Sequence, residues 1–355
     1  MKNKKKILYI VEAMGGGVFT YVVDMTNELI KEFDVFVAYA VRPQTPQNYR
    51  EYFDNRVQLI EVENFCREIN PVKDIEALCE IKKIANNIKP DIIHLHSSKA
   101  GVIGRMAFAF EKIPLFYTPH GYSFLMKDTS RLKRTMYWLI EKTFSLVDCM
   151  TISCSYGEYL ETLKLTRNAT YVNNGINVSD LNEKLLDVKE TEHEFTVFTI
   201  GRICYQKNPK LFNEIAKALP KIKFLWIGDG EDRDKLDSEN IEITGWLKRD
   251  EALAKSANAD VFILTSLWEG LPISLLEAMY MKKPCIVSDV IGNHDVIKHQ
   301  INGYVCNSIS DYVTAIEEAK KKLYVEQAYL DLLENYNTKV QAEGYAQIYR
   351  KFTGE

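Results

Sequence analysis

The chain has 355 residues, 46% of them hydrophobic and 26% charged, which is enough apolar material for two substantial cores and too much for a disordered chain. Its 45 Lys and Arg against 49 Asp and Glu leave a formal charge of −4, so bulk electrostatics gives no support to a nucleic-acid binder and partners must be recognised locally. Seven scattered cysteines, an odd number mostly set in apolar runs, read as buried thiols of a reducing compartment and not as a disulfide frame or metal site.

The basic opening Met1-Lys2-Asn3-Lys4-Lys5-Lys6 leads into an apolar run at 7–13 that is too short for a signal peptide and gives way to glycines. No run reaches the length of a membrane span, and a cytoplasmic protein is expected. Residues 7–11, 35–39, 57–60, 92–96 and 115–118 read as strands, and 19–31, 71–87 and 100–110 as helices. This is the rhythm of a parallel sheet covered on both faces. Gly15, Gly16 and Gly17 stand between the first strand and first helix, where they permit a tight turn and close approach of an anion or sugar to backbone N–H groups. They form neither a G-x-G-x-x-G fingerprint nor a P-loop, and a turn needed only by the fold is the competing reading.

His94 and His96 are read as pointing to opposite faces of their strand, which disfavours joint metal ligation; His94 is assigned to the interior and His96 to the border of a cleft. Thr118-Pro119-His120-Gly121 closes the next strand, and His120 there is either structural or suited to bond a sugar hydroxyl or donate toward developing negative charge. The aromatic and basic stretches at 122–127 and 131–138 make an amphipathic cationic patch, fit either to cover the sheet or to meet a membrane surface.

Strands at 149–152 and 170–172 continue the series, and Asn173-Asn174-Gly175-Ile176 reads as a turn tolerant of left-handed angles or as a ligand contact. The acid-rich segment 178–194 has little to bury. A second series of strands then runs through 195–200, 224–227, 241–243, 261–264 and 285–287. The expected architecture is α/β, with two doubly wound Rossmann-like domains facing each other across a cleft that holds the ligands. Its divisions are a first domain at 1–177, a linker at 178–194, a second domain at 195–335 and a helix at 336–355 able to pack back on the first domain.

Gly201-Arg202 follows the first strand of the second series, with Lys207 five residues beyond Arg202; guanidinium and ammonium together suit a diphosphate that gains charge as it departs. Solvated surface cations are the alternative, and Lys210 and Lys217 are read as solvent-facing. Gly228-Asp229-Gly230-Glu231 offers backbone groups to a base or diphosphate, and Trp246-Leu247 offers backbone to a base edge while the indole fills core. In Trp268-Glu269-Gly270-Leu271-Pro272-Ile273-Ser274-Leu275-Leu276-Glu277, one carboxylate sits in a Gly/Pro-bounded loop and the second lies one to two turns into the helix that Pro272 starts. Two carboxylates facing one crevice can hold the hydroxyls of a ribose and a sugar.

These separated elements, in this order, resemble the GT-B glycosyltransferases of family 4, of the bacterial surface-polysaccharide type. That family's E-x7-E element matches Glu269 and Glu277, its phosphate-binding residues match Gly201-Arg202 and Lys207, its glycine loop matches Gly15-Gly16-Gly17, and its strand-end histidine matches His120. The resemblance implies that Glu277 binds ribose hydroxyls, Arg202 and Lys207 the diphosphate, Glu269 with the backbone of Gly270 and Leu271 the donor sugar, and that His120 approaches that sugar and accepts a hydrogen bond from it. It implies a retaining transfer of a hexose or N-acetylhexosamine from a nucleoside-diphosphate sugar, UDP favoured, to a saccharide acceptor carried on a polyprenyl diphosphate, in capsule, O-antigen or exopolysaccharide synthesis. Neither metal nor cofactor is expected, no nucleic acid is a partner, and contact with the inner membrane surface would be peripheral. The chain departs from the pattern at Asn177, where the family often has Asp, and at Asn208, where glycine often follows the lysine. A nucleotide-sugar epimerase and a non-catalytic sugar-binding module are the alternatives. The epimerase would need a cofactor fingerprint and a tyrosine-lysine pair that are not evident.

Overall fold

The computed structural model describes residues 4–12, 14–42, 45–66, 68, 70–189 and 192–354. They form two compact units, Met1–Leu125 with Thr129–Asn174 and Thr338–Glu355 in the first, Met126–Asp128 with Gly175–Asn337 in the second.

The first unit is built on strands β1 (Lys6–Val11), β2 (Asp34–Tyr39), β3 (Gln58–Glu61), β4 (Ile92–His96), β5 (Leu115–Thr118), β6 (Met150–Ser153) and β7 (Ala169–Tyr171). They pair in parallel in the order β3-β2-β1-β4-β5-β6-β7, so the winding reverses between β1 and β4. The predominantly apolar sequence of β1, β2, β4 and β5 follows from this position, because the sheet is covered on both faces. One face carries Tyr9, Val11 and Phe116 against the helix Gly16–Leu29 and the last helix, Thr338–Thr353, which buries Tyr345 and Tyr349 there. The other carries Leu8, Ile10, Leu95 and Tyr117 against helices Pro71–Ile88 and Ser98–Phe108. Under the helix Arg131–Phe144 a buried ion pair joins Arg105 to Glu141 at 2.7 Å, and Tyr117 donates to the same carboxylate at 2.9 Å.

The second unit holds β8 (Thr196–Ile200), β9 (Lys223–Ile227), β10 (Ile241–Ile243), β11 (Val261–Leu264), β12 (Cys285–Ser288) and β13 (Tyr304–Cys306). These too are parallel, in the order β10-β9-β8-β11-β12-β13, with the reversal between β8 and β11. Phe212, Trp226, Ile263, Ile286 and Tyr312 sit in the core over one face.

Four readings of the sequence change here. The segment expected as a linker contains the helix Val178–Leu186, capped by Asn177, whose side chain accepts the Asp180 N–H at 3.0 Å. Its single buried residue, Leu181, is too faint an apolar signal to show through the acidic composition; residues 190–191 of that segment lie outside the described residues. Gly175 does not take a left-handed angle: a Cβ there would stand 2.4 Å from the carbonyl oxygen of Asn337, so close approach of two backbones is what requires glycine. His94 and His96 share a face, because residues two apart in a strand point the same way, and their rings lie 4.2 Å apart with both side chains fully buried. Five of the free cysteines are buried, whereas Cys79 is exposed and Cys66 half-buried.

Candidate active site

At the C-terminal ends of β8 and β11, neighbours at the reversal of the second sheet, two loops emerge side by side. They are stitched together by Leu267 N–H donating to Gln206 O at 2.8 Å and Thr265 Oγ1 donating to Lys207 O at 2.8 Å. The stitching brings Lys207 Nζ to 2.7 Å from Glu269 Oε1, which also accepts Ser266 Oγ at 2.6 Å. Gln206 donates to Trp268 O at 3.0 Å and to Glu269 Oε2 at 3.4 Å. Glu269 is buried, a location open to a carboxylate only because donors surround it. One group suited to phosphate and one suited to sugar hydroxyls are therefore held in contact.

Glu277 lies in the helix Ile273–Tyr280, buried, with Arg249 Nη2 in an ion pair 2.7 Å from its Oε1. Pro272 occupies the cap of this helix, one residue before the first helical position expected of it. Arg202 projects from the end of β8 and is mostly solvent-facing, 3.3 Å from the exposed Glu231. Lys210 and Lys217 are exposed.

The glycines after β9 have a packing reason. Gly228 has φ +142°, and a Cβ there would stand 2.2 Å from the carbonyl oxygen of Gly201; at Gly230 it would meet Ile203 O at 2.1 Å. The loops after β8 and β9 thus pack backbone on backbone, closed by Trp226 Nε1 donating to Gly201 O at 2.9 Å and Ile203 N–H to Asp229 O at 2.8 Å. Trp246 does not fill core: its side chain is 66% exposed, because the chain after β10 runs along the surface, while Leu247 is half-buried.

In the first unit, Gly15 caps the helix Gly16–Leu29 with no side chain to satisfy its first N–H groups. Gly16 takes φ +57°, and a Cβ at Gly16 or Gly17 would meet nothing within 4 Å, so this helix end is open. His120 follows β5 at φ +55°, an unusual angle for a residue with a side chain, and is half-buried. The turn is pinned by the buried carboxylate of Glu158, which accepts Gly121 N–H at 2.6 Å and Cys154 N–H at 2.8 Å. His120 Nε2 is 3.1 Å from His96 Nδ1, and Tyr21 closes on the His120 ring at 4.5 Å. Burial holds His94, His96 and His120 well below the ordinary imidazole value, with His94 and His96 also disfavouring charge through their neighbours.

Sequence reasoning missed Gln206, Ser266, Arg249, Glu158 and Gly292. Ser266 stands three residues before Glu269 and Gln206 next to Lys207, so proximity to an assigned residue was the available signal. Gly292, whose Cβ would stand 2.3 Å from Gly270 O and 3.2 Å from Glu269 Cβ, offered none. Among the described residues no cluster of three His, Cys, Asp or Glu side chains could hold a metal ion, and no helix is long and apolar enough to cross a membrane.

Each unit is a doubly wound parallel α/β sheet, and the second carries a cation–carboxylate pair at its topological switch. Comparison with known proteins gives the class. Residues 15–180 match the family described as Glycosyltransferase Family 4, and residues 182–338 match Glycosyl transferases group 1. A UDP-Gal:alpha-D-GlcNAc-diphosphoundecaprenol alpha-1,3-galactosyltransferase of Escherichia coli is 31% identical over 302 residues, 75% of this chain and 76% of the relative. A 41.2 kDa protein of the cps region of Klebsiella pneumoniae is 30% identical, covering 85% of this chain and 86% of its own length. Among solved structures, the sucrose-phosphate synthase of Thermosynechococcus elongatus superposes with a TM-score of 0.83 at 15% identity, covering 99% of this chain and 100% of its own. The chain belongs to glycosyltransferase family 4, of the surface-polysaccharide type, which displaces the epimerase reading.

Proposed function

We propose that the protein is a retaining glycosyltransferase that moves a hexose or N-acetylhexosamine from a nucleoside-diphosphate sugar, UDP favoured, to a saccharide carried on a polyprenyl diphosphate. The observation that carries this reading is the 2.7 Å contact of Lys207 with Glu269 at the switch point of the second sheet. The E. coli relative, whose name specifies UDP-Gal and a diphosphoundecaprenol acceptor, supports the choice of donor and acceptor class.

In the reaction the bond from the anomeric carbon to the diphosphate breaks, a bond to the acceptor oxygen forms on the same face, and the departing phosphate oxygen takes the acceptor proton. Arg202 and Lys207 are assigned to the negative charge that grows on the leaving group, where preorganised cations act most strongly in the transition state. Glu269, already accepting from Lys207, Ser266 and Gln206, is assigned to orient a sugar hydroxyl with the Gly270 and Leu271 backbone, and not to act as nucleophile. Glu277 is assigned to the ribose, the helix end at Gly15, Gly16 and Gly17 to an anionic or hydroxyl group, the Gly228–Gly230 and Trp246-Leu247 backbone to the nucleotide, and His120 to a substrate hydroxyl. On the helix Arg131–Phe144, exposed Leu132, Met136 and Leu139 fall on one face beside exposed Arg131 and Lys133, a surface suited to a peripheral hold on anionic lipid at the cytoplasmic side.

The deciding experiment incubates the full chain with UDP-galactose, UDP-glucose or UDP-N-acetylglucosamine and N-acetylglucosaminyl-diphosphoundecaprenol, then reads the anomeric coupling of the product by NMR. An α product from the α-linked donor is expected. A β product would overturn retention, and a glycosyl adduct on Glu269 in the mass spectrum would overturn same-face attack.

A further inference from the structure

The buried imidazoles of the first unit can be assigned proton by proton. Thr118 Oγ1 donates its only hydrogen to Ile152 O at 2.8 Å, so it must accept from His94 Nε2 at 2.9 Å. His94 therefore carries its proton on Nε2, and its Nδ1 accepts from the Tyr349 hydroxyl at 2.5 Å. His96 differs. Its Nδ1 lies 3.1 Å from His120 Nε2, while its own Nε2 is buried with no partner among the described residues. If His120 donated, the His96 proton would sit on Nε2 as an orphaned buried N–H. If His96 donates, only a lone pair goes unused, and orphaned N–H groups are the rarer and more costly of the two.

We propose that His96 is a positioning residue that fixes the proton of His120 on Nδ1, so that His120 meets its substrate as a hydrogen-bond donor. This reverses the acceptor role that the family resemblance suggested, and it rests on the proposed function only for what His120 touches. The surroundings hold the arrangement. The His96 and His120 rings lie 24° from parallel with centroids 5.3 Å apart, Tyr9 covers His96 at 4.4 Å, and Tyr21 sets its edge against His120. Backbone angles unusual for side-chain-bearing residues at both Ser97, φ +72°, and His120 aim the two strand ends at each other, joined by Ser97 N–H donating to Thr118 O at 2.9 Å. His120 Nδ1 has no protein partner among the described residues, which leaves its N–H for a ligand oxygen.

The test uses the full chain with 15N-labelled histidine and long-range 15N–1H correlation spectra, which report the protonated nitrogen of each ring without any substrate. Wild type should show His94 protonated on Nε2 and both His96 and His120 on Nδ1. His96→Asn keeps an N–H near the Nδ1 position and should preserve the His120 tautomer, whereas His96→Leu should lose it. Transfer from UDP-galactose should fall about tenfold in His96→Leu, the worth of one hydrogen bond, and stay near wild type in His96→Asn. Protonation of His120 on Nε2 in wild type, or an unchanged His120 in His96→Leu, overturns the proposal even if a variant folds poorly. Correct tautomers in a protein that transfers no sugar would instead overturn the proposed function.

Discussion

Replacing Lys207 with methionine tests whether the ion pair at the second sheet's switch point is a coupled unit. Removing one partner of a buried pair costs about 3–5 kcal/mol, because the other charge stays behind without compensation. Here Glu269 keeps the Ser266 and Gln206 donors, and the Lys207 side chain is 17% exposed, so water reaches the gap. A loss of about 2–3 kcal/mol is therefore expected. For a unit of this size that lowers its unfolding midpoint by roughly 4–12 °C in a thermal scan. Glu269→Gln should cost less, about 1 kcal/mol, since an unpaired lysine on a flexible stem can reach solvent whereas a buried carboxylate cannot. The double variant Lys207→Met with Glu269→Gln should recover much of the loss, giving a coupling of at least about 1 kcal/mol. Single effects that simply add, within about 0.5 kcal/mol, would mean that the contact at 2.7 Å is incidental and would remove the observation on which the proposed function stands.

Other outcomes follow from the same geometry. Arg202→Ala should lower kcat by about 10²-fold with little change in donor affinity, since this exposed guanidinium is assigned to charge that appears only on departure of the diphosphate; unchanged turnover at saturating donor would defeat that assignment. Glu277→Ala should act in the opposite sense, raising KM for the donor with a smaller effect on kcat, and calorimetric titration with UDP would show the weakened binding. Acid should destabilise the first unit: His94 and His96 are held neutral when folded but protonate near pH 6.5 when unfolded, so below that pH the unfolded chain binds more protons. Stability is complete above about pH 6.5 and falls below it by up to about 2.7 kcal/mol per pH unit for the two rings, with half-buried His120 contributing over a narrower range of pH. A midpoint for this unit that stays flat from pH 7 to pH 5 would contradict the assignment. Leu132→Asp with Leu139→Asp should abolish co-sedimentation with vesicles rich in anionic lipid while leaving the fold intact, as both side chains are already exposed.

The sheets were legible because a parallel strand buried on both faces is mostly apolar, as β1, β8 and β11 are, and β4 is apart from His94 and His96. The Glu269 loop was legible because Gly270 and Pro272 punctuate it. Pairings were not. Lys207 and Glu269 are 62 residues apart, and no local pattern reports that the loops after β8 and β11 are sewn together by Thr265 and Leu267. Arg249 reached Glu277 through the same kind of long-range approach. The misplacement of His96 has a different origin, the period-two pleat itself, which puts residues 94 and 96 on one side. Recognising that side as the interior required the last helix, whose Tyr345 and Tyr349 arrive from more than two hundred residues away.

Each unit carries a polar cluster by the point where the winding of its sheet reverses, yet the chemistry differs at the two places. Loops after β8 and β11 bring a lysine against a carboxylate, and a second carboxylate is met by Arg249. At the end of β4 and just after β5 stand imidazoles that burial keeps uncharged, aligned by hydrogen bonds and by tyrosine rings. A diphosphate needs charge to hold it, and charge tolerates imprecise geometry because Coulomb attraction falls slowly with distance. A hydroxyl needs a donor or an acceptor at one definite point, and a neutral imidazole can present either from the same atom. A buried neighbour whose own proton is committed can decide which. On the proposed assignment this is the part played by the second histidine beneath the first, whereas the charged site is held by a few side-chain donors and two loops.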